Sequence, residues 1–330
     1  MTPDVTSASR GRGAFLRRAT ISLLVSGGLL ALILTRLDLG GLGAALSGAD
    51  RAVLVLAVAI FGLAVVCTGL RWRIGLVLTG VPLPWPANLR GMFGGHCLNM
   101  LLFGPAGGDI AKSAAYARWY RLPVHELLVS AITDRSLAAL GSFLFLVLAA
   151  ALVAAGGATL PSGLTLTGSG LTGWLAAAGG LALLGAGLLY RLRHLPFLSR
   201  LGRSLRSTLR AASGRPGLLA AGSLLGLTSQ LLMSLAMAVA LAAVAPEPLD
   251  WAATLWAFPL ITAVAALPTS FGGAGVREGV SILLLTRYGI SAERLVAAGL
   301  VYLVIQMGWA GLGALLLGWE ERRYRRRAVA

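Results

Sequence analysis

The chain has 330 residues, 57% hydrophobic and only 12% charged, with a formal net charge of +16 and a mean hydropathy of +0.82. Soluble domains carry about 25% charged residues, so the composition excludes an ordinary water-exposed domain of any size. The positive charge is almost all arginine, Lys112 being the only lysine, and it lies between and beyond apolar runs; that distribution excludes nucleic acid and points to anionic lipid headgroups as partners.

In chain order, Arg10, Arg12, Arg17 and Arg18 precede an apolar run at 19–35. A secretory signal also starts basic, but this run is long for one and no small-residue cleavage site follows it. Residues 1–18 therefore read as a basic cytoplasmic N-terminus and the run as a retained first span. Further apolar runs lie at 51–70, 136–155, 173–190, 217–244 and 294–318, each near the roughly 20 residues a bilayer span requires. No charged side chain occurs between Ser136 and Tyr190, so that stretch holds two spans and the neutral connection 156–172. Cys67 and Cys97 sit in or beside apolar segments and read as small buried hydrophobes.

Arginine counts orient the set. Arg71, Arg73 and Arg90 follow the second run, seven arginines fall between Arg191 and Arg215, and Arg322, Arg323, Arg325, Arg326 and Arg327 close the chain. The other side has Arg36 and Arg51 balanced by Asp38 and Asp50, the uncharged loop, and the acids Glu247 and Asp250. Both termini are thus expected in the cytoplasm, with one membrane domain over 19–318 and a basic cytoplasmic tail at 319–330. This orientation forces 85–122 to enter and leave on the cytoplasmic side, and 251–290 to leave and return on the other side or to cross twice. Each is read as a hairpin, re-entrant or fully spanning, broken by Gly, Pro and charges.

The hairpins resemble each other. Trp85, Ala87 and Leu89 precede Gly107 and Gly108, as Trp251, Ala253 and Leu255 precede Gly272 and Gly273. A real match would be an inverted repeat, which places a substrate site near the midplane between broken helices; the abundance of Ala and Leu makes chance its rival. In the cytoplasmic loop 191–216, Arg200, Arg203, Arg206 and Arg210 share one helical side and Leu198, Leu201, Leu205 and Leu209 another. That spacing describes an interfacial helix on an anionic leaflet, alongside the simpler reading of a loop that only sets topology.

Two stretches could hold chemistry. The first runs through Asn99, Gly104, Pro105, Gly107, Gly108, Asp109 and Lys112. Its Pro and glycines are expected to break the apolar segment, with Asp109 opening and capping a new helix. Lys112, three residues on, shares the Asp109 face, and ionisable groups at bilayer depth are functional candidates by default. The second holds Ser270, Gly272, Gly273, Gly275, Arg277 and Glu278. Glycines allow close backbone approach, the following helix would aim free N–H groups at a phosphate, and Arg277 would add a forked cation. No strand precedes Gly273 and Gly275, so a dinucleotide loop is rejected. Asp134 and Arg135 form a third charged pair, expected to seek separate partners and to be interfacial if the span starts at Ser136. Arg71, Trp72 and Arg73 read as an interface anchor, and Gln306 as helix–helix glue or as part of a path.

His96, His125 and His194 show no metal-ligand spacing, and neither a phosphate-binding loop, a serine elbow nor a metal-holding acidic pair occurs. No cofactor or metal is expected, and nothing demands an enzyme.

The ordered set of Arg71 and Trp72, Asn99 with Gly104 to Asp109, Asp134 and Arg135, and Pro268 to Glu278 resembles the flippase-like transmembrane domain of the lysylphosphatidylglycerol synthase family. The likeness spans roughly Ala14 to Trp319. It implies an inner-membrane protein that moves or handles a phosphate-bearing lipid, phospholipid or isoprenoid in type. Bifunctional family members continue into a soluble aminoacyl-transferase domain; this chain stops shortly after its last span, so synthase activity is not expected to carry over. Lys112 stands where the family pattern usually has arginine, which keeps the charge but loses the bidentate fork. The expectation is an all-α polytopic bundle of six full spans plus two hairpins, acting as a lipid flippase or transporter. The alternatives are a membrane-embedded glycosyltransferase or lipid-modifying enzyme, or a non-catalytic partner of such an enzyme.

Overall fold

The computed structural model describes Leu24 and residues 26–102, 104–155, 196–245, 249, 251–265 and 273–329. The N-terminal arginines, the loop 156–172, the span at 173–190, Glu247, Asp250, Ser270 and Gly272 lie outside the described residues. The described chain is helical and, within it, no strand occurs.

The first helices, α1 (Ser26–Leu34) and α2 (Leu39–Ser47), meet at 106°. Asp38 makes the corner, its carboxylate accepting from the Gly40 and Gly41 N–H groups at the start of α2. The run expected at 19–35 ends where α1 does, and the corner and α2 lie just beyond it. Helix α3 (Arg51–Thr79) starts on the Asp50 cap and stops at Gly80, whose φ of 74° favours glycine. Then come α4 (Trp85–Leu101), α5 (Gly104–Tyr120), α6 (Val124–Ala155), α7 (Pro196–Ser213) and α8 (Pro216–Val244). They are followed by α9 (Trp251–Ala265), α10 (Val276–Leu285), a 3-10 turn (Thr286–Tyr288) and α11 (Ala292–Val329).

Among the described residues four helices are long and apolar enough to cross a membrane: Arg51–Thr79, Val124–Phe145, Pro216–Val244 and Ala292–Arg327; the bent pair would make a fifth. The protein is thus a multi-pass helical membrane protein. Two expected boundaries move. The span placed at 51–70 runs on to Thr79, carrying Arg71 and Trp72 inside it, and the span placed at 136–155 starts at Val124, so Asp134 and Arg135 lie mid-helix. In both cases the helix continues through the charges because buried partners neutralise them. The basic tail also extends the last span as helix through Val329.

Helices α3 and α8 lie side by side with α6 packed on both. Backbones close to contact there because the interface residues are small: a β-carbon at Gly226 would sit 2.5 Å from the Leu137 carbonyl oxygen, and one at Gly75 would sit 2.6 Å from that of Ser130. Helix α4 lies against α5 and α11, and α9 against α10 and α6. One apolar cluster, including Phe61, Met237, Phe258 and Tyr302, joins α3, α8, α9, α10 and α11. A second, around Trp72, Leu76, Tyr116 and Leu127, joins α3 to α6. Side chains such as Val55, Leu63, Leu224 and Leu315 stay exposed, as a lipid-facing surface demands.

Each end of the bundle collects its own residues. Asp38, Asp50, Ala245 and Glu293 gather at one end. At the other, Glu320 accepts from Arg90 at 2.5 Å and from Tyr120 at 3.0 Å, and Trp119 donates to Glu321 at 2.6 Å. The pair α4–α5 enters from this second end and α9–α10 from the first. Helix α7 faces the bundle with Thr208 and Ala212, while Leu205 and Leu209 stay exposed on one flank and Arg200, Arg203, Arg206 and Arg210 on the other.

Candidate functional site

Helix α4 ends at Leu101, the extended Leu102 reverses the chain, and α5 begins at Gly104. The break therefore precedes Gly107 and Gly108, which lie inside α5. Gly108 serves the packing instead. A β-carbon there would collide with the Asn99 side chain and backbone, so the two helices of the hairpin touch at this point. The expected helix cap at Asp109 is likewise corrected, because Asp109 sits five residues beyond Gly104. Its carboxylate turns sideways to Arg135 Nε at 2.7 Å and Lys112 Nζ at 3.4 Å. Lys112 is 1% exposed and lies 3.9 Å over the Trp72 ring.

Asp134 and Arg135 do take separate partners, as adjacent residues pointing different ways on a helix commonly do. Asp134 grips the Arg71 guanidinium through Nε at 2.7 Å and Nη2 at 3.3 Å, while Arg135 reaches Asp109. Arg71 also donates to Ser229 of α8 at 2.9 Å. Its reading as an interface anchor is overturned by its burial; Trp72, wholly buried, donates to Ser130 at 3.0 Å. Arg73 is half-buried and bonds the Leu83 carbonyl.

In the second hairpin, α9 carries Pro259 within it. Gly273 and Gly275 adopt φ of 79° and 84°, conformations glycine takes without strain, and α10 then opens with Arg277 in its first turn. Glu278 Oε2 accepts from the Gly275 N–H at 2.6 Å, and Oε1 accepts from Arg277 Nε and Nη2 at 3.1 and 2.8 Å. The helix N-terminus expected to be open to phosphate is thus taken by Glu278. Arg277 also donates to the Gly299 carbonyl at 2.8 Å and to Gln306 Oε1 at 3.1 Å. Gly299 leaves the room, since a β-carbon there would collide with the Glu278 side chain.

The two hairpin tips arrive at one cavity of about 360 Å³. Asn99 and Met100 from the end of α4, Ala265 from the end of α9, and Gly273 line it, and Arg71, Arg135 and Arg277 all reach its wall. His96, Gln230, Thr262 and Gln306 supply neutral polar groups; Phe61, Tyr302 and Met92, drawn from both apolar clusters, supply the rest. Each arginine is held from behind by a carboxylate: Arg71 by Asp134, Arg135 by Asp109, Arg277 by Glu278. Three guanidinium groups thus line one concave space and make its wall electropositive.

Of the expected site residues, Asn99, Arg135, Gly273 and Arg277 line the cavity. Asp109, Lys112, Asp134 and Glu278 stand one layer behind, and Gly107, Gly108 and Gly275 shape the backbone. Sequence reasoning missed Arg71 and Gln230. The signal for Arg71 was present, because apolar residues resume at Ile74 and continue to Leu78. Gln306 accepts from Arg277 between α10 and α11, as helix–helix glue would, and also lines the cavity. A second hollow, of about 680 Å³, lies beside Asp38 and Asp50, whose carboxylates are engaged in capping.

No curated protein matches the chain. The family model described as the lysylphosphatidylglycerol synthase TM region matches residues 19–313, nearly the whole length, and the chain belongs to that family.

Proposed function

We propose that the protein moves a phosphate-bearing lipid between the leaflets of the inner membrane, its headgroup passing through the cavity while the acyl chains stay in lipid. The observation that carries this reading is the convergence of Arg71, Arg135 and Arg277 at the tips of two hairpins that enter from opposite ends. A site reached by both hairpins is one that either can uncover, which is the geometric requirement for alternating access. The packing also supports an inverted repeat. Helices α3 to α6 run long, short, short, long, as do α8 to α11 when α10 counts with α9 as the hairpin, and each hairpin leans on the long helix that closes the other set. Trp85 and Trp251 open the two hairpins alike. With the arginine-rich segments inside, α7 lies along the cytoplasmic leaflet with its leucines in the acyl region and its arginines among anionic headgroups. No nucleotide motif is present, so movement runs downhill or on an ion gradient.

The deciding experiment is leaflet exchange of acyl-labelled anionic phospholipid in vesicles containing the purified protein. Arg135→Ala removes a cavity cation that is 40% exposed and so perturbs packing least. It should slow exchange by roughly 10-fold or more, the scale of one charge-assisted hydrogen bond. Exchange that is absent for every phosphate-bearing lipid, or unchanged in this variant, would refute the reading.

A further inference from the structure

Two helices connect the cavity to the end of the bundle that holds Glu320. Helix α4 runs from Arg90 to Asn99 and Met100 at the cavity, and α11 runs from Tyr302 and Gln306 at the cavity to Glu320, roughly 20 Å further on at about 1.5 Å per residue. Glu320 is 3% exposed, and the hairpin α4–α5 satisfies it from across the seam. Oε1 accepts from Arg90 Nε at 2.5 Å, and the Tyr120 hydroxyl reaches both oxygens at 3.0 Å. Beside it Trp119 donates to Glu321 at 2.6 Å, Arg90 lies 4.7 Å over the Trp319 ring, and Arg118 lies 5.2 Å over that of Tyr324. The hairpin side of this cluster is tied to itself, because Tyr116 stacks on Tyr120 and donates to the Ala87 carbonyl at 3.0 Å. Along the rest of the α4–α11 seam glycines face the partner helix, Gly94 against Leu317 and Gly313 against the Phe93 backbone. The surfaces can part at these points without unthreading a side chain. A buried carboxylate is stable while its partners hold it, or once water reaches it, and is costly in between. The seam therefore favours two positions, closed and dry or open and wet, over a graded one.

We propose that this cluster is a latch: Glu320 and Glu321 hold the α4–α5 hairpin against α11, and their release lets the hairpin swing away and open the cavity toward this end. This rests on reading the cavity as a transport site. Under that reading, the latch keeps one hairpin shut while α9–α10 serves the opposite leaflet.

Arg121, at the end of the hairpin, and Arg322, on α11, are both exposed and stand outside the cluster. Spin labels on Arg121→Cys and Arg322→Cys in the full chain, held in lipid nanodiscs, read the distance across the seam without any need for transport; the buried thiols Cys67 and Cys97 should stay unlabelled. Glu320→Gln should enlarge the separated population about tenfold, the scale of one charge-assisted hydrogen bond. Tyr120→Phe, which removes only a hydroxyl, should enlarge it less. A cleavable bifunctional thiol linker joining the same two cysteines should stop lipid exchange in vesicles until it is cut. Distances unmoved by both variants, whatever happens to their melting temperatures, make the cluster a plain structural tie and overturn the latch. Unimpaired exchange in the linked protein overturns it as well. Longer distances in Glu320→Gln, in a protein whose parent exchanges no lipid, leave the latch standing and overturn the transport reading instead.

Discussion

At the scale of the residue, each cavity arginine is held by a carboxylate that is not among the residues lining the cavity. Arg277 and Glu278 show this best, being 1% and 0% exposed. Glu278→Ala would strand a buried guanidinium and uncap α10 at once, and should cost about 3–5 kcal/mol in thermal unfolding of the detergent-solubilised protein. Arg277→Met combined with Glu278→Gln removes the pair without stranding either charge. It should recover most of that stability while lipid exchange stays lost. If Glu278→Ala melts like the parent, the pair is not structural. This coupling was half legible in the sequence. Arg277 and Glu278 stand out as charges after a glycine-rich break, but adjacent helical residues normally diverge, whereas here the Glu278 carboxylate reaches back to the Gly275 N–H and meets the Arg277 guanidinium. Arg71 was misread for a related reason: an arginine after twenty apolar residues looks like the end of a span until a partner 63 residues away is found for it.

At the scale of the element, the two pairs of short helices, α4 with α5 and α9 with α10, fall on the stretches read as hairpins. Their break points were not legible in the sequence. Gly107 and Gly108 look like a helix break, yet the chain turns at Leu102 and Gly104, and the glycines serve instead to bring α5 onto α4. Ala substitution separates the two roles of glycine. Gly108→Ala would drive a methyl group into Asn99 and should destabilise by about 1–3 kcal/mol or more, since the obstacle includes backbone. Gly279, inside α10 with open space around its Cα, should accept Ala and gain up to about 1 kcal/mol from helix propensity. Unfolding temperatures of the two variants read the contrast directly. A Gly108→Ala protein as stable as Gly279→Ala would mean the hairpin is not closed as described. The corner at Asp38 was missed on similar grounds: a single capping acid between two apolar runs carries little weight in a hydropathy reading, though it turns the chain by 106°.

At the scale of the whole molecule, both the site and its use depend on the hairpins entering from different faces. On the proposed orientation, the uneven distribution of arginine would hold the α7 segment and the end of α11 on one side. The opposite end carries the turn between α10 and α11, where Arg287 is exposed. Single cysteines at Arg206, Arg325 and Arg287 test this arrangement, because the native thiols Cys67 and Cys97 are buried and should stay silent. In sealed inside-out vesicles a membrane-impermeant thiol reagent should label Arg206→Cys and Arg325→Cys, and should reach Arg287→Cys only after permeabilisation. In right-side-out vesicles the pattern should reverse. Labelling of all three from one side would bring both hairpins in through the same leaflet, and a cavity opened from that leaflet alone could bind a headgroup but could not release it across the membrane.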